Sequence, residues 1–140
     1  TAHHPWTAKD AAQRVDTLRQ EVAVLRRNEA GMSEEDYQRE TEKIAGEMSQ
    51  TWERIISQVI AEPLVDFASL EVRVGKLRII GRVTEQDVRT YDDSYSRISG
   101  WAARHDPHPE LNYSPPTVAE LQDEIEVIAD WLKKVKKYQS

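Results

Sequence analysis

Four segments of this chain carry a pattern that is typical of helix starts. Each pairs a serine or threonine with an acidic residue three positions later: Thr7 with Asp10, Ser33 with Asp36, Thr84 with Asp87, and Thr117 with Glu120. Side chains at this spacing can each bond a backbone N–H group that the first helical turn leaves without a partner. The four pairs predict four helices, and they constrain the fold more than any other feature.

Apolar residues follow each of these pairs at intervals of three and four, which places them on one face of a helix. The repeats run from Ala11 to Leu25, from Tyr37 to Val59, from Val88 to Ala102, and from Val118 to Val135. Pro63 ends or kinks the second helix, because proline lacks the backbone donor that a helix interior needs. The last repeat resembles the seam of a coiled coil.

Residues 70–80 follow a different pattern. Leu70, Val72 and Val74 alternate with charged residues, Gly75-Lys76 follows, and apolar residues then surround Arg78. Alternation on both sides of a turn that begins with glycine predicts a small β-hairpin. We therefore expect an all-α fold, in which a largely antiparallel four-helix bundle carries a β-hairpin between helices 2 and 3, as a single domain over residues 1–140.

Composition excludes several kinds of site. The chain has no cysteine, so disulfides, thiolate metal ligands and cysteine nucleophiles are absent. Its net charge of −6 argues against a surface that binds nucleic acid throughout. No apolar run is long enough to span a bilayer, and residues 1–12 lack the apolar core of a signal peptide. We expect a cytoplasmic chain with no membrane contact, and its start at Thr1 indicates a fragment or a processed product.

The densest polar segment is His105-Asp106-Pro107-His108. A histidine titrates close to neutral pH, so His105 is a candidate general acid or base. Arg104 or Arg54 is then the candidate cation that stabilises a charged transition state. Glu53 is the candidate residue that orients these catalytic groups. Equally, His105 can be a residue at a helix C-terminus that interacts with the negative end of the dipole. A proline-rich loop does not suit a metal site, and we expect no metal.

Basic residues are concentrated over residues 73–89, from the predicted hairpin into the third helix. The candidates for contact with nucleic-acid phosphates are Arg73, Lys76, Arg78, Arg82 and Arg89. Glu71 lies just before them, and Glu85 and Asp87 lie between them, so the same segment also fits an ordinary solvated surface.

Several short motifs resemble, in their order along the chain, the C-terminal region of bacterial P-loop ATPases with an ABC/SMC-like architecture, related to RecN-type and PrrC/RloC-type proteins. The motifs are Pro5-Trp6 with Ala8, Trp52-Glu53-Arg54, Lys76-Leu77-Arg78, Thr84-Glu-Gln-Asp-Val, Ser99 with Trp101 followed by His105-Asp106, and Pro116-Thr-Val-Ala-Glu-Leu. Arg104 stands where the family has a glycine.

The resemblance implies a helical C-terminal tail of an ATPase that acts in phage defence or DNA transactions. Because the sequence shows four capped helical repeats and no assembled catalytic set, we expect this tail to be a non-catalytic domain that serves interaction with a partner or transmission of the nucleotide state. Its partner would be the upstream ATPase domain of the same protein, which would hold ATP and Mg, whereas this fragment would hold no cofactor. A second hypothesis is an effector nuclease, similar to an anticodon nuclease, that acts on tRNA or DNA through His105. A third is a homodimerisation module that pairs through the seam of the last helix.

Overall fold

The structure is a computed structural model that describes residues 10–61, 65–66, 71–72, 78–102 and 114–139. Four long helices dominate these residues: α1 is Ala11–Asn28, α2 is Glu34–Ile55, α4 is Glu85–Ala102 and α5 is Val118–Lys136. A short helix, α3, spans Arg78–Arg82. The helix α2 continues as a π-helical segment over Ile56–Ala61. Short 3₁₀ turns, Glu29–Gly31 and Lys137–Gln139, follow α1 and α5. The predicted all-α class is therefore confirmed.

The helix starts agree with the sequence pattern at three of the four places. The side chain of Thr117 accepts from the backbone of Glu120, whose carboxylate accepts from Thr117 in return. Thr84 and Asp87 make the same reciprocal pair. Ser33 accepts a bond from the backbone N–H of Asp36.

The first helix begins differently from the prediction. Its N-cap is Asp10, which pairs with Gln13, whereas Thr7 lies outside the described residues. An aspartate followed three positions later by glutamine is itself a strong start signal, so α1 begins at Ala11.

Neighbouring helices run antiparallel. Arg14, near the start of α1, donates to the backbone carbonyl of Gln50, near the end of α2. Asp87, at the start of α4, contacts Lys134 at the end of α5. Such contacts are typical of a bundle in which adjacent helices run in opposite directions and pack side by side.

The core lies between the four long helices and is apolar. Its fully buried large side chains are Trp52, Leu18, Ile44, Met48, Ile55, Ile98, Leu121, Ile125, Ile128, Val22 and Val59. The α5 seam from Val118 to Val135 is buried within this core. Helix α4 contributes least, since Val88, which begins its predicted apolar face, is 48% exposed.

The β-hairpin predicted across residues 70–80 is wrong. Its expected second arm, residues 77–80, overlaps the helix α3, which spans Arg78–Arg82. The two strands of the described residues, Val65–Asp66 and Glu71–Val72, pair with each other in antiparallel register, and Val72 lies opposite Val65. An alternation of three or four apolar residues is too short to separate a strand from a helical turn, and this explains the wrong prediction.

Candidate functional site

The four candidate catalytic residues do not form one described site. His105 and Arg104 lie outside the described residues. Glu53 is exposed on α2, and it accepts a hydrogen bond of 3.1 Å from the hydroxyl of Tyr95 on α4. This bond, with a smaller contribution from burial, raises the pKa of Tyr95. Glu53 therefore links two helices.

Arg54 lies on the side of α2 that faces the start of α1. Gln50 and Gln58, one turn away on either side, contact Arg14 and Ala11. The Nε atom of Arg54 is buried and has no hydrogen-bond partner in the described part of the chain. Burial and then the positive charge of Arg54 lower the pKa of Arg14. Two adjacent guanidinium groups with a spare N–H donor are chemically able to hold an oxyanion.

An aromatic cluster joins α2, α4 and α5 in the middle of the bundle. The ring centroids of Trp52 and Trp131 are 5.1 Å apart, and those of Trp52 and Tyr91 are 5.2 Å apart, in edge-to-face contacts. Tyr95 stacks on Tyr91 at 5.5 Å. The indole N–H of Trp52 donates to the Ser94 hydroxyl at 2.9 Å. Trp52 belongs to the apolar repeat predicted from Tyr37 to Val59, whereas the repeat predicted for the last helix continues from Ile128 to Leu132 and omits Trp131.

Asp87 has the largest set of polar contacts among the described residues. It is 2% exposed, and its carboxylate accepts from the Lys134 ammonium at 2.7 Å, the Tyr138 hydroxyl at 2.7 Å and the Thr84 backbone N–H at 2.9 Å. Its backbone carbonyl accepts from the indole N–H of Trp131. Burial alone would raise the pKa of Asp87, but these hydrogen bonds outweigh burial and lower it to about 2.

The predicted basic residues are not gathered into one strip in the described part of the chain. Arg73 and Lys76 lie outside it, as does the side chain of Arg78. Arg82 donates to the backbone carbonyl of Tyr138 at 2.8 Å, which places it beside the end of α5. Arg89 forms an exposed ion pair of 3.6 Å with Glu85 on its own helix.

A groove of about 390 Å³ separates α1 from α5 on the surface. The small side chains Ala12 and Ala129 leave it open, and Val15 and Leu132 form its apolar floor. Charged side chains of both signs line it: Asp16, Arg19, Asp130, Lys133 and Lys136. Because the signs are mixed, the groove by itself favours no charged ligand.

Two arginine–glutamate pairs have similar geometry but different burial, which predicts different contributions to stability. Arg97 holds Glu124 through two bonds of 3.0 and 3.1 Å, and the Glu124 side chain is only 7% exposed. Arg19 holds Glu126 through bonds of 3.0 and 2.8 Å, with both side chains about half exposed.

We expect Arg97→Ala to lower the free energy of unfolding by about 2 kcal/mol, because Glu124 is left buried without its cation. The matched variant Arg19→Ala should cost less than about 1 kcal/mol, as for exposed ion pairs in general. Urea unfolding at neutral pH measures both. Equal losses in the two variants would show that the burial of Glu124 does not increase the contribution of its ion pair to stability.

Within the described residues, no three His, Asp or Glu side chains are placed to hold a metal ion. No described helix is both long enough and apolar enough to cross a membrane. A scan of protein-family models, a search of curated proteins and a search of solved structures each give no match. The function is therefore inferred from the contacts between the helices and from the order of the sequence motifs.

Proposed function

We propose that this chain is a non-catalytic helical module that passes the nucleotide state of an ABC/SMC-like ATPase to a partner, as the C-terminal domain of that ATPase. One observation carries the proposal: ion pairs that include buried carboxylates join α4 to α5 at two separate levels. At one level Asp87 binds Lys134, and at the other Glu124 binds Arg97.

The two ion pairs lie about 15 Å apart along α4, since each residue adds about 1.5 Å to a helix. Between these levels, the Trp52–Trp131 contact joins the helix pair to α2. Helices held at two levels move together as a unit, which suits an element that transmits a conformational change.

The ATPase partner and the role in phage defence or DNA transactions are inferred from the motif order that begins at Pro5-Trp6 and ends at Pro116. ATP and Mg would bind in the upstream domain. The alternative as a nuclease depends on His105, which lies outside the described residues. A homodimer through the α5 seam would have to use side chains that this chain already buries, such as Leu121 and Ile128.

The proposal is tested by an ATPase assay on the polypeptide that is encoded by the complete reading frame containing this sequence. We expect it to hydrolyse ATP, and we expect Asp87→Ala to change the hydrolysis rate while nucleotide affinity stays the same. Asp123→Ala is the matched control, because Asp123 is an exposed aspartate on α5. A polypeptide that neither binds nor hydrolyses ATP would exclude the ATPase assignment. Equal rates for the two variants would exclude transmission through the α4–α5 pair.

A further inference from the structure

Two glutamates meet between α1 and α2 with no donor that satisfies both of them. In this antiparallel pair the backbone N–H of Ala11 donates to the side chain of Gln58. Glu21 lies ten residues after Ala11 and Glu47 lies eleven residues before Gln58, about three turns along each helix, so the two glutamates come level. The Oε2 atom of Glu21 and the Oε1 atom of Glu47 are both buried, and no N–H or O–H group among the described residues donates a hydrogen bond to either of them. A buried polar atom without a partner costs free energy and requires an explanation.

The charges around this pair do not neutralise it. Among the described residues, the charged groups that act on Glu47 are Glu21 from α1, and Lys43 and Glu40 from its own helix. Lys43 also forms an ion pair of 3.6 Å with Glu40, and its side chain is 57% exposed. One exposed ammonium thus serves three carboxyl groups.

A single proton resolves the conflict. Two ionised carboxylates have no hydrogen to offer each other, whereas a protonated carboxyl donates its O–H to a neighbouring carboxylate. Carboxyl groups that share a site do not both ionise readily, because like charges repel at short range.

We propose that Glu21 and Glu47 share one proton across the α1–α2 interface, and that loss of this proton weakens the packing of α1 on α2. The pair is then a pH-sensitive contact built into the first helical hairpin, and it acts independently of any partner of the domain.

The direction of the pH effect follows from the protonation states. Burial, then a hydrogen bond with Glu21 and the negative charge of Glu21, raise the pKa of Glu47 from 4.5 to about 8. Between these two pH values the folded chain keeps a proton that the unfolded chain has released. The stabilisation is therefore complete below about pH 4.5 and is lost as the pH rises through about 8. This dependence is opposite to that of a carboxylate with a lowered pKa.

Urea unfolding at a series of pH values from 5 to 9 tests the proposal on the 140-residue chain. For wild type, we expect the unfolding equilibrium constant to increase with pH by several-fold per unit, with about tenfold as the ceiling for one proton. Glu47→Gln should remove most of this increase, because an amide donates to Glu21 at every pH. Glu42→Gln is the matched control on the same helix, and it should retain the wild-type dependence.

The chain also contains four histidines, a residue type whose ordinary pKa lies in this range. Their contribution is common to all variants, so the difference between the curves isolates the pair. A flat wild-type curve, or the same slope in Glu47→Gln as in wild type, would overturn the proposal.

Glu21→Gln is the second variant, and NMR titration of the Glu47 carboxyl carbon in wild type gives a direct measurement. A carbon shift with its midpoint near the ordinary pKa of glutamate would also exclude a shared proton.

Discussion

Replacing Trp52 with alanine is expected to lower the free energy of unfolding by about 4 kcal/mol, the largest effect of any single substitution considered for this chain. Trp52 is fully buried and contacts residues of α4 and α5 from its place on α2. Its removal leaves a cavity at the point where three helices meet, and it leaves the Ser94 hydroxyl without its indole partner. Urea unfolding followed by circular dichroism at pH 7 measures the loss.

Two further variants separate packing from hydrogen bonding. Trp52→Phe keeps a large aromatic ring but removes the N–H donor, so we expect it to cost much less than Trp52→Ala. Trp101→Ala is the matched control, because Trp101 is only partly buried at the edge of the core. If Trp52→Ala and Trp101→Ala cost the same, Trp52 is not the centre of the packing.

Asp87→Ala is expected to have the second largest effect, a loss of about 3 kcal/mol in the free energy of unfolding. The substitution removes the acceptor for Lys134, Tyr138 and the backbone of Thr84 at once. Part of the loss is recovered because Lys134 is half exposed and can turn to water. Asp123→Ala should change stability by less than about 0.5 kcal/mol, since it is a surface substitution away from such contacts.

Because the pKa of Asp87 is lowered, we also expect the free energy of unfolding to decrease in acid. Asp87 has a pKa lowered to about 2, so its carboxylate stabilises the fold above the ordinary value of 3.8. This contribution disappears as the pH falls from about 4 through about 2. Wild type should therefore lose stability over this interval, and Asp87→Ala should lose less. A parallel decline in both proteins would mean that other carboxylates cause the acid sensitivity.

Local patterns in the sequence were sufficient for the helices but not for the segment between α2 and α4. Long apolar repeats, such as the one from Val118 to Val135, extend over several helical turns and therefore distinguish a helix from a strand. Residues 70–80 carry only a few alternating positions, and there Arg78–Arg82 form a helix. The start of α1 was predicted three residues too early, because Asp10 serves equally well as a partner and as a cap.

Contacts between distant parts of the chain could not be predicted from such patterns. Asp87 was recognised only as the partner of Thr84 at a helix start, whereas Lys134 and Tyr138 approach it from the far end of the chain. Similarly, nothing in the local sequence places Glu21 beside Glu47, because only the antiparallel packing of α1 on α2 brings them together. Trp131 lies three positions after Ile128, and this helical spacing is sufficient to predict that Trp131 lies in the core.

The most direct test of the central claim, that this domain is non-catalytic, is a cleavage assay. The 140-residue chain and its His105→Ala variant are incubated with total tRNA and with duplex DNA, each with and without ATP and Mg, and the products are resolved on denaturing gels. We predict that both nucleic acids remain intact with either protein. Discrete cleavage products formed by wild type and absent with His105→Ala would contradict the account and make the chain an effector nuclease.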